Sequence, residues 1–148
     1  MKNQFTIGCF AIILNEKEEI LIVHRNDYDL WNLPGGGMDI GETPEECVIR
    51  EIKEETGFKA ELIKLQGIYT KKDKNTISFS FICNIIGGKA TLNDEARAIE
   101  FVSLKDIPKN FSPNQKERIE DYFQDRNHTI YKQQKNASSL ELLKELGL

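Results

Sequence analysis

Between Gly36 and Phe58 the chain reads GGMDIGETPEECVIREIKEETGF. Thr43-Pro44-Glu45-Glu46 is a helix start: threonine as N-cap, proline at the first helical position, and glutamate at N3 to complete a capping box. Gly57 suits the residue that closes a helix, so the spacing predicts a helix over about Pro44 to Thr56. At 3.6 residues per turn, Glu51, Glu54 and Glu55 fall within roughly a 100° arc of that helix. Val48, Ile49 and Ile52 occupy the adjoining arc. One stripe therefore faces a core while its neighbour gathers three carboxylates.

Clustered carboxylates repel one another and cost stability unless something offsets them. A solvated acidic helix face is the commonest reason for such a run. Here Gly36, Glu42, Arg50 and Gly57 stand in fixed register with the glutamates, and the whole pattern reads G-x5-E-x7-R-E-U-x-E-E-x-G-U, with U apolar. At average residue frequencies the chance of such a match in the chain is on the order of 10⁻⁸. Hard oxygen ligands in a cluster suit Mg²⁺ or Mn²⁺, which commonly hold substrate phosphates as well. Gly35, Gly36 and Gly37 follow Leu33-Pro34. Such a loop can present carbonyls to a metal or amides to a phosphate, although a plain turn uses the same residues. Arg50 lies beside Glu54 on the helix and away from Glu55, within reach of a phosphate or of its acidic neighbours.

At 148 residues the chain fits one domain with a core of its own. The net charge of −4 shows no basic patch and argues against a nucleic-acid partner. Cys9, Cys47 and Cys83 lack metal-ligand spacing and read as reduced packing residues, Cys47 lying in the carboxylate arc. Phe5–Leu14 is too short to span a membrane and is followed by no cleavage pattern. These features place the protein in the cytoplasm.

Phe5–Leu14 and Ile20–His24 read as a hairpin or two adjacent strands across the polar turn at 15–19. Trp31–Leu33 leads into the glycine loop. Ala60–Tyr69, Thr76–Ile86 and Ala98–Leu104 are strand-like, the second alternating with a period of two. Ser112-Pro113-Asn114-Gln115 repeats the capping-box logic and predicts a helix to about Phe123, with Ile119, Tyr122 and Phe123 on its apolar side. The order of elements gives an α/β fold, a mixed β-sheet flanked by helices. Asp125–Asn136 is polar and extended or mobile. Ser138-Ser139-Leu140-Glu141 starts a short helix whose Leu142, Leu143 and Leu146 pack on the domain or on a second copy in a homodimer.

The stretch from Gly36 to Phe58 resembles the signature of the Nudix (MutT-type) hydrolases, and the match is complete. The resemblance covers about residues 5–124, which places a Nudix domain over 1–124 and an extension over 125–148, and it implies an α/β/α sandwich. It implies Mg²⁺- or Mn²⁺-dependent hydrolysis of a pyrophosphate bond in a small-molecule nucleotide, a nucleoside diphosphate linked to another group. Glu51, Glu54 and Glu55 would bind metal, as would a carbonyl beside the box glycine, at Gly35. Arg50 would form an ion pair that orients the glutamates, with Glu42 a candidate partner. Glu54 or Glu51 has the reach to accept the water proton. Some members use a later loop acid, for which Glu95 is the candidate here and Asp94 the next. Arg25 and the glycines Gly36 and Gly37 would face the pyrophosphate. His24 has no partner legible in the sequence, and Trp31 reads as packing or as a surface for a base.

Markers of ADP-ribose, dinucleoside polyphosphate and coenzyme A hydrolases are absent from their usual places. The Ser112-Pro113 segment resembles that of small bacterial ADP-ribose or nucleotide-sugar pyrophosphatases, which favours such substrates over nucleoside triphosphates. A non-catalytic nucleotide-sensing module stands against the complete set of glutamates. A regulator would need a DNA-binding domain that the tail is too short to supply, and an isomerase would need a different Cys/His/Glu site.

Overall fold

The computed structural model describes residues 4–148; residues 1–3, which open the expected domain, lie outside them. Helix α1 spans Pro44–Thr56, as its caps prescribe. Thr43 Oγ1 accepts the Glu46 N–H at 3.1 Å and the Glu46 carboxylate accepts the Thr43 N–H at 3.0 Å. Gly57 closes the helix at φ 80°, and a Cβ there would lie 2.6 Å from the Lys89 carbonyl oxygen. Both conditions require glycine.

The strands form two sheets rather than one. β1 (Thr6–Ile12), β4 (Gly35–Gly37), β5 (Phe58–Lys71), β6 (Thr76–Gly88) and β8 (Ile130–Gln133) make a five-stranded sheet in the order β4-β1-β6-β5-β8. It is mixed: β1–β6 and β5–β8 are parallel, β1–β4 and β5–β6 antiparallel. β2 (Ile20–Arg25), β3 (Trp31–Asn32) and β7 (Ala96–Val102) form a three-stranded antiparallel sheet in the order β3-β2-β7. The first two strands do turn back at 15–19, where Leu14 bridges to Ile20. They then diverge, because β1 pairs with β4 and β6 whereas β2 pairs with β3 and β7.

Alternate residues of β1 serve two cores, as strand geometry requires. Cys9 and Ala11 join Val48 and Ile52 of α1, while Phe10 and Ile12 join Ile119 and Tyr122 of the second helix, α2 (Pro113–Gln124). Val48 and Ile52 are fully buried, each burial stabilising by about 1.5–3 kcal/mol. The glycine loop proves to be an edge strand. A Cβ on Gly35 would lie 2.3 Å from the Cys9 carbonyl oxygen, so only glycine lets β4 approach β1.

The start of α2 departs from the expected capping box. Ser112 makes no side-chain cap bond, and the Gln115 side chain instead accepts the Leu33 N–H at 2.6 Å. Leu33 sits in the segment before β4 and has no strand partner for that donor, so its buried amide draws the Gln115 side chain away from the cap.

The tail is ordered into β8 and α3 (Ser139–Leu146), the latter capped by Ser138, whose Oγ accepts the Glu141 N–H at 3.2 Å. Of the leucines expected to pack, Leu143 is buried, Leu142 is half-buried and Leu146 is exposed. Lys132 of β8 reaches Glu117 at 2.7 Å and Asp121 at 3.2 Å, both on α2. Burial pushes the Glu117 carboxyl up, but the bonds from Lys132 and Gln134 outweigh it and hold the group below its usual range. The stabilisation from a depressed carboxyl is present above the unfolded-state range and is lost as the pH falls through the folded value. Acid unfolding followed by circular dichroism should therefore show Glu117→Gln with a flatter loss of stability below about pH 4.5, by about 1 kcal/mol or less. Identical slopes would mean that the tail is held by other contacts.

Candidate active site

α1 presents its acidic face at the edge formed by β4. Arg50, half-buried, is the hub of that face. Its Nε donates to Glu42 Oε2 at 2.5 Å and Nη2 to Glu42 Oε1 at 2.9 Å. Nη1 donates to Glu51 at 3.0 Å and to Glu54 at 3.1 Å, and Nη2 reaches the Gly37 carbonyl oxygen at 3.3 Å. Every edge of the guanidinium is thus occupied by protein. Arg50 is a positioning residue here rather than one that faces a substrate, and it offsets the repulsion between neighbouring glutamates. Bonds from Arg50, first among several causes, hold the Glu42 carboxyl down at about 2.

The three carboxylates that converge are not the three expected on the helix. One oxygen from each of Glu51, Glu54 and Glu95 lies within 4.8 Å of the others. Glu55 is instead buried, with an oxygen accepting the Gly35 N–H at 2.9 Å. Burial, reinforced by the charge of Glu51, pushes Glu55 up to about 9 despite that bond. Burial also raises Glu51. Three carboxylate oxygens at this spacing fit a hard divalent cation, which would supply the positive charge that the cluster lacks.

Glu95 reaches the cluster because its loop is tied down. Asn93 Nδ2 donates to the Glu54 carbonyl oxygen, and Asn93 Oδ1 accepts the Glu95 N–H at 2.8 Å. Asn26, just past β2, donates to the carbonyl oxygens of Asn93 at 3.1 Å and Asp94 at 2.7 Å. One asparagine therefore joins the backbone of the acidic helix to the backbone of the loop acid. An asparagine bonding the amide two residues on is a turn pattern that Asn93-Asp94-Glu95 already displays in sequence. The contact to Glu54, across 39 residues, has no such local signal.

A cavity of about 460 Å³ adjoins these groups, lined among others by Arg25, Gly35, Gly36, Glu51, Glu55 and Glu95. Arg25 is on its wall, with Nε donating to Asp27 at 2.7 Å and the guanidinium 5.3 Å from the Tyr28 ring centre. Asp94 lines the same cavity. Gly36 lies directly over Glu51: a Cβ there would stand 2.7 Å from the carboxyl carbon. The Gly37 carbonyl oxygen is shared between Arg50 and the Cys47 thiol, which is buried and 3.5 Å away. Cys47 thus packs behind the glycines. Trp31 stacks on His24 with ring centres 4.4 Å apart, and His24 does have a partner, Asp29, at 2.8 Å. Gln115, whose position at the start of α2 suggested only a cap, also lines the cavity.

No helix among the described residues is long and apolar enough to cross a membrane. The NUDIX domain profile matches residues 4–122. A Bacillus subtilis protein named "Putative 8-oxo-dGTP diphosphatase" is 39% identical over 144 residues, covering 95% of this chain and 96% of its own length. An ADP-ribose pyrophosphatase of Methanocaldococcus jannaschii is 37% identical over 122 residues, 78% of this chain and 72% of that one. Among solved structures, a UDP-X diphosphatase superposes with a TM-score of 0.78 at 29% identity, over 89% of this chain and 68% of its own. The chain belongs to the Nudix family and is a pyrophosphohydrolase of the MutT type, a class that acts on small nucleotides with a divalent metal.

Proposed function

We propose that the protein hydrolyses the pyrophosphate bond of a nucleoside diphosphate linked to a second group, an ADP-ribose- or nucleotide-sugar-like substrate, with Mg²⁺ or Mn²⁺ as cofactor. The observation that carries this reading is the convergence of Glu51, Glu54 and Glu95 beside a cavity whose wall includes Glu51, Glu95 and Arg25. The ADP-ribose pyrophosphatase and UDP-X diphosphatase among the relatives support it. The Bacillus subtilis relative, which matches along nearly its whole length, favours a second reading: hydrolysis of a nucleoside triphosphate.

Glu51 and Glu54 would hold the metal within reach of Glu95, and Glu55 would join them, with the Gly35 carbonyl, once the charge of the cation favours its ionised form. When bound, the cation offsets charge on the attacking and leaving oxygens. Arg25 donates to the pyrophosphate, while the bare backbone of Gly36 and Gly37 lets a phosphate approach closely. Glu95 accepts the proton of the attacking water as its oxygen bonds to phosphorus and the bridging P–O bond breaks. Asn93 holds Glu95 at the reacting end, and Arg50 with Glu42 holds Glu51 and Glu54 in place.

In a phosphate-release assay with ADP-ribose, nucleotide sugars and nucleoside triphosphates, one class should stand well above the rest. Silence across the panel would restore the sensing module. Glu54→Gln should lower turnover by about 10²-fold or more while the melting temperature holds; wild-type turnover would remove Glu54 from the mechanism. Glu95→Gln should lower turnover comparably, and Asn93→Ala should add nothing further in the Glu95→Gln background. An unchanged rate in Glu95→Gln would assign the proton to the helix glutamates. Gly36→Ala drives a methyl into the Glu51 carboxyl and should weaken Mn²⁺ binding by about tenfold in calorimetry. Unaltered Mn²⁺ affinity would mean that Glu51 is not a ligand.

A further inference from the structure

Arg97 stands two residues past Glu95, on β7, at the point where its pairing with β2 breaks register. His24 pairs with Ala98 but Arg25 pairs with Ala96, so Arg97 is the extra residue of a bulge. A bulge re-aims a side chain out of the regular alternation of its strand. Here the guanidinium meets the loop that joins β2 to β3. Its Nε donates to the Arg25 carbonyl oxygen at 2.6 Å, and Nη2 donates to the carbonyl oxygens of Asn26 at 3.4 Å and Tyr28 at 3.0 Å. One cation thus gathers three carbonyls from four consecutive residues, and its planar fork of donors suits such a set.

The loop held in this way serves two parts of the site. Asp27 accepts from Arg25 Nε at 2.7 Å and from Arg25 Nη2, and the Tyr28 ring lies 5.3 Å from the same guanidinium. These two neighbours orient Arg25 on the cavity wall and leave Nη1 for a phosphate oxygen. Asn26 works in the other direction. Its Nδ2 donates to the carbonyl oxygens of Asn93 at 3.1 Å and Asp94 at 2.7 Å, and its N–H donates to the Glu95 carbonyl oxygen at 3.3 Å.

Asn26, Asp27, Tyr28 and Asp29 are all exposed, and no core packing fixes them. A loop of this kind keeps one conformation only where its backbone is tied down. A displacement of about 1 Å at reacting groups costs on the order of 10²-fold in rate.

We infer that Arg97 is a positioning residue for hydrolysis: through one loop backbone it sets both Arg25, which meets the pyrophosphate, and Glu95, which takes the water proton, an inference that rests on the roles proposed above for those two residues. Arg97 itself is not part of the cavity wall and acts only through the loop. The Asn26 side chain is the branch that leads to Glu95 alone.

The test is a set of mutant cycles in Mg²⁺ buffer. Turnover of ADP-ribose and of GTP gives kcat and KM, and calorimetry with imidodiphosphate, an inorganic pyrophosphate analogue, gives binding at the phosphate end. Arg97→Met should lower kcat and weaken imidodiphosphate by about tenfold each, while the melting temperature stays within about 3 °C. In the Arg25→Met background, Arg97→Met should weaken imidodiphosphate by less than about twofold more, and in the Glu95→Gln background it should lower kcat by less than about threefold more. Asn26→Ala should lower kcat yet leave imidodiphosphate binding within about twofold of the wild type. If Arg97→Met does not fold, Arg97→Gln, whose shorter amide cannot span the three carbonyls, carries the comparison. A merely structural role would give losses that multiply in full with those of Arg25→Met and Glu95→Gln, and that result would overturn the inference. Losses in Arg25→Met and Glu95→Gln with none in Arg97→Met would overturn it alone. Wild-type kcat and binding in both Arg25→Met and Glu95→Gln would defeat the proposed catalytic roles and this inference with them.

Discussion

Glu51, Glu54 and Glu55 crowd a little over one turn of α1, and the rest of the site is arranged around their repulsion. Arg50 answers part of it, with one guanidinium held by Glu42 and donating to both Glu51 and Glu54. Burial answers another part by pushing Glu55 toward its neutral form while Gly35 binds its oxygen. What remains is a concentration of negative charge beside a cavity, and a divalent cation is the partner that such a concentration fits.

The fold supplies the precision. α1 is fixed at one end by the Thr43–Glu46 box and at the other by Gly57, so its carboxylates cannot slide relative to the sheet. β4 can lie against β1 because Gly35 has no side chain, and Gly36 leaves room for Glu51. The smaller sheet contributes the end of β2 with Arg25 and the start of β7 just after Glu95. Asn93 and Asn26 fasten that corner to α1. The site thus lies where both sheets and the helix meet, and none of the three could form it alone.

Much of this was legible in the chain because it is local. Caps, glycines and the register of Arg50 with the glutamates act over a few residues, so helix α1 and its acidic face follow from spacing. The strands were legible by their apolar runs, but their division into two sheets was not, since nothing in Phe5–Leu14 or Ile20–Arg25 encodes which later strand each will pair with. The same limit hid the long-range bonds. Glu95 could be named as an acid in a loop, yet its approach to Glu51 and Glu54 depends on Asn93 reaching back to α1. Gln115 read as a capping residue because the unpaired amide of Leu33, far away in sequence, could not be seen. Arg118 carries no local signal in the sequence, and only the packing of Gln134, at the end of β8, against α2 reveals it as buried.

The most direct test is anomalous scattering from crystals grown with Mn²⁺. Manganese should bind between the carboxylates of Glu51 and Glu54, within reach of Glu95, with Arg50 still paired to Glu42. A protein that binds no manganese there at millimolar concentration, or that binds it elsewhere with these glutamates free, would contradict this reading of the site.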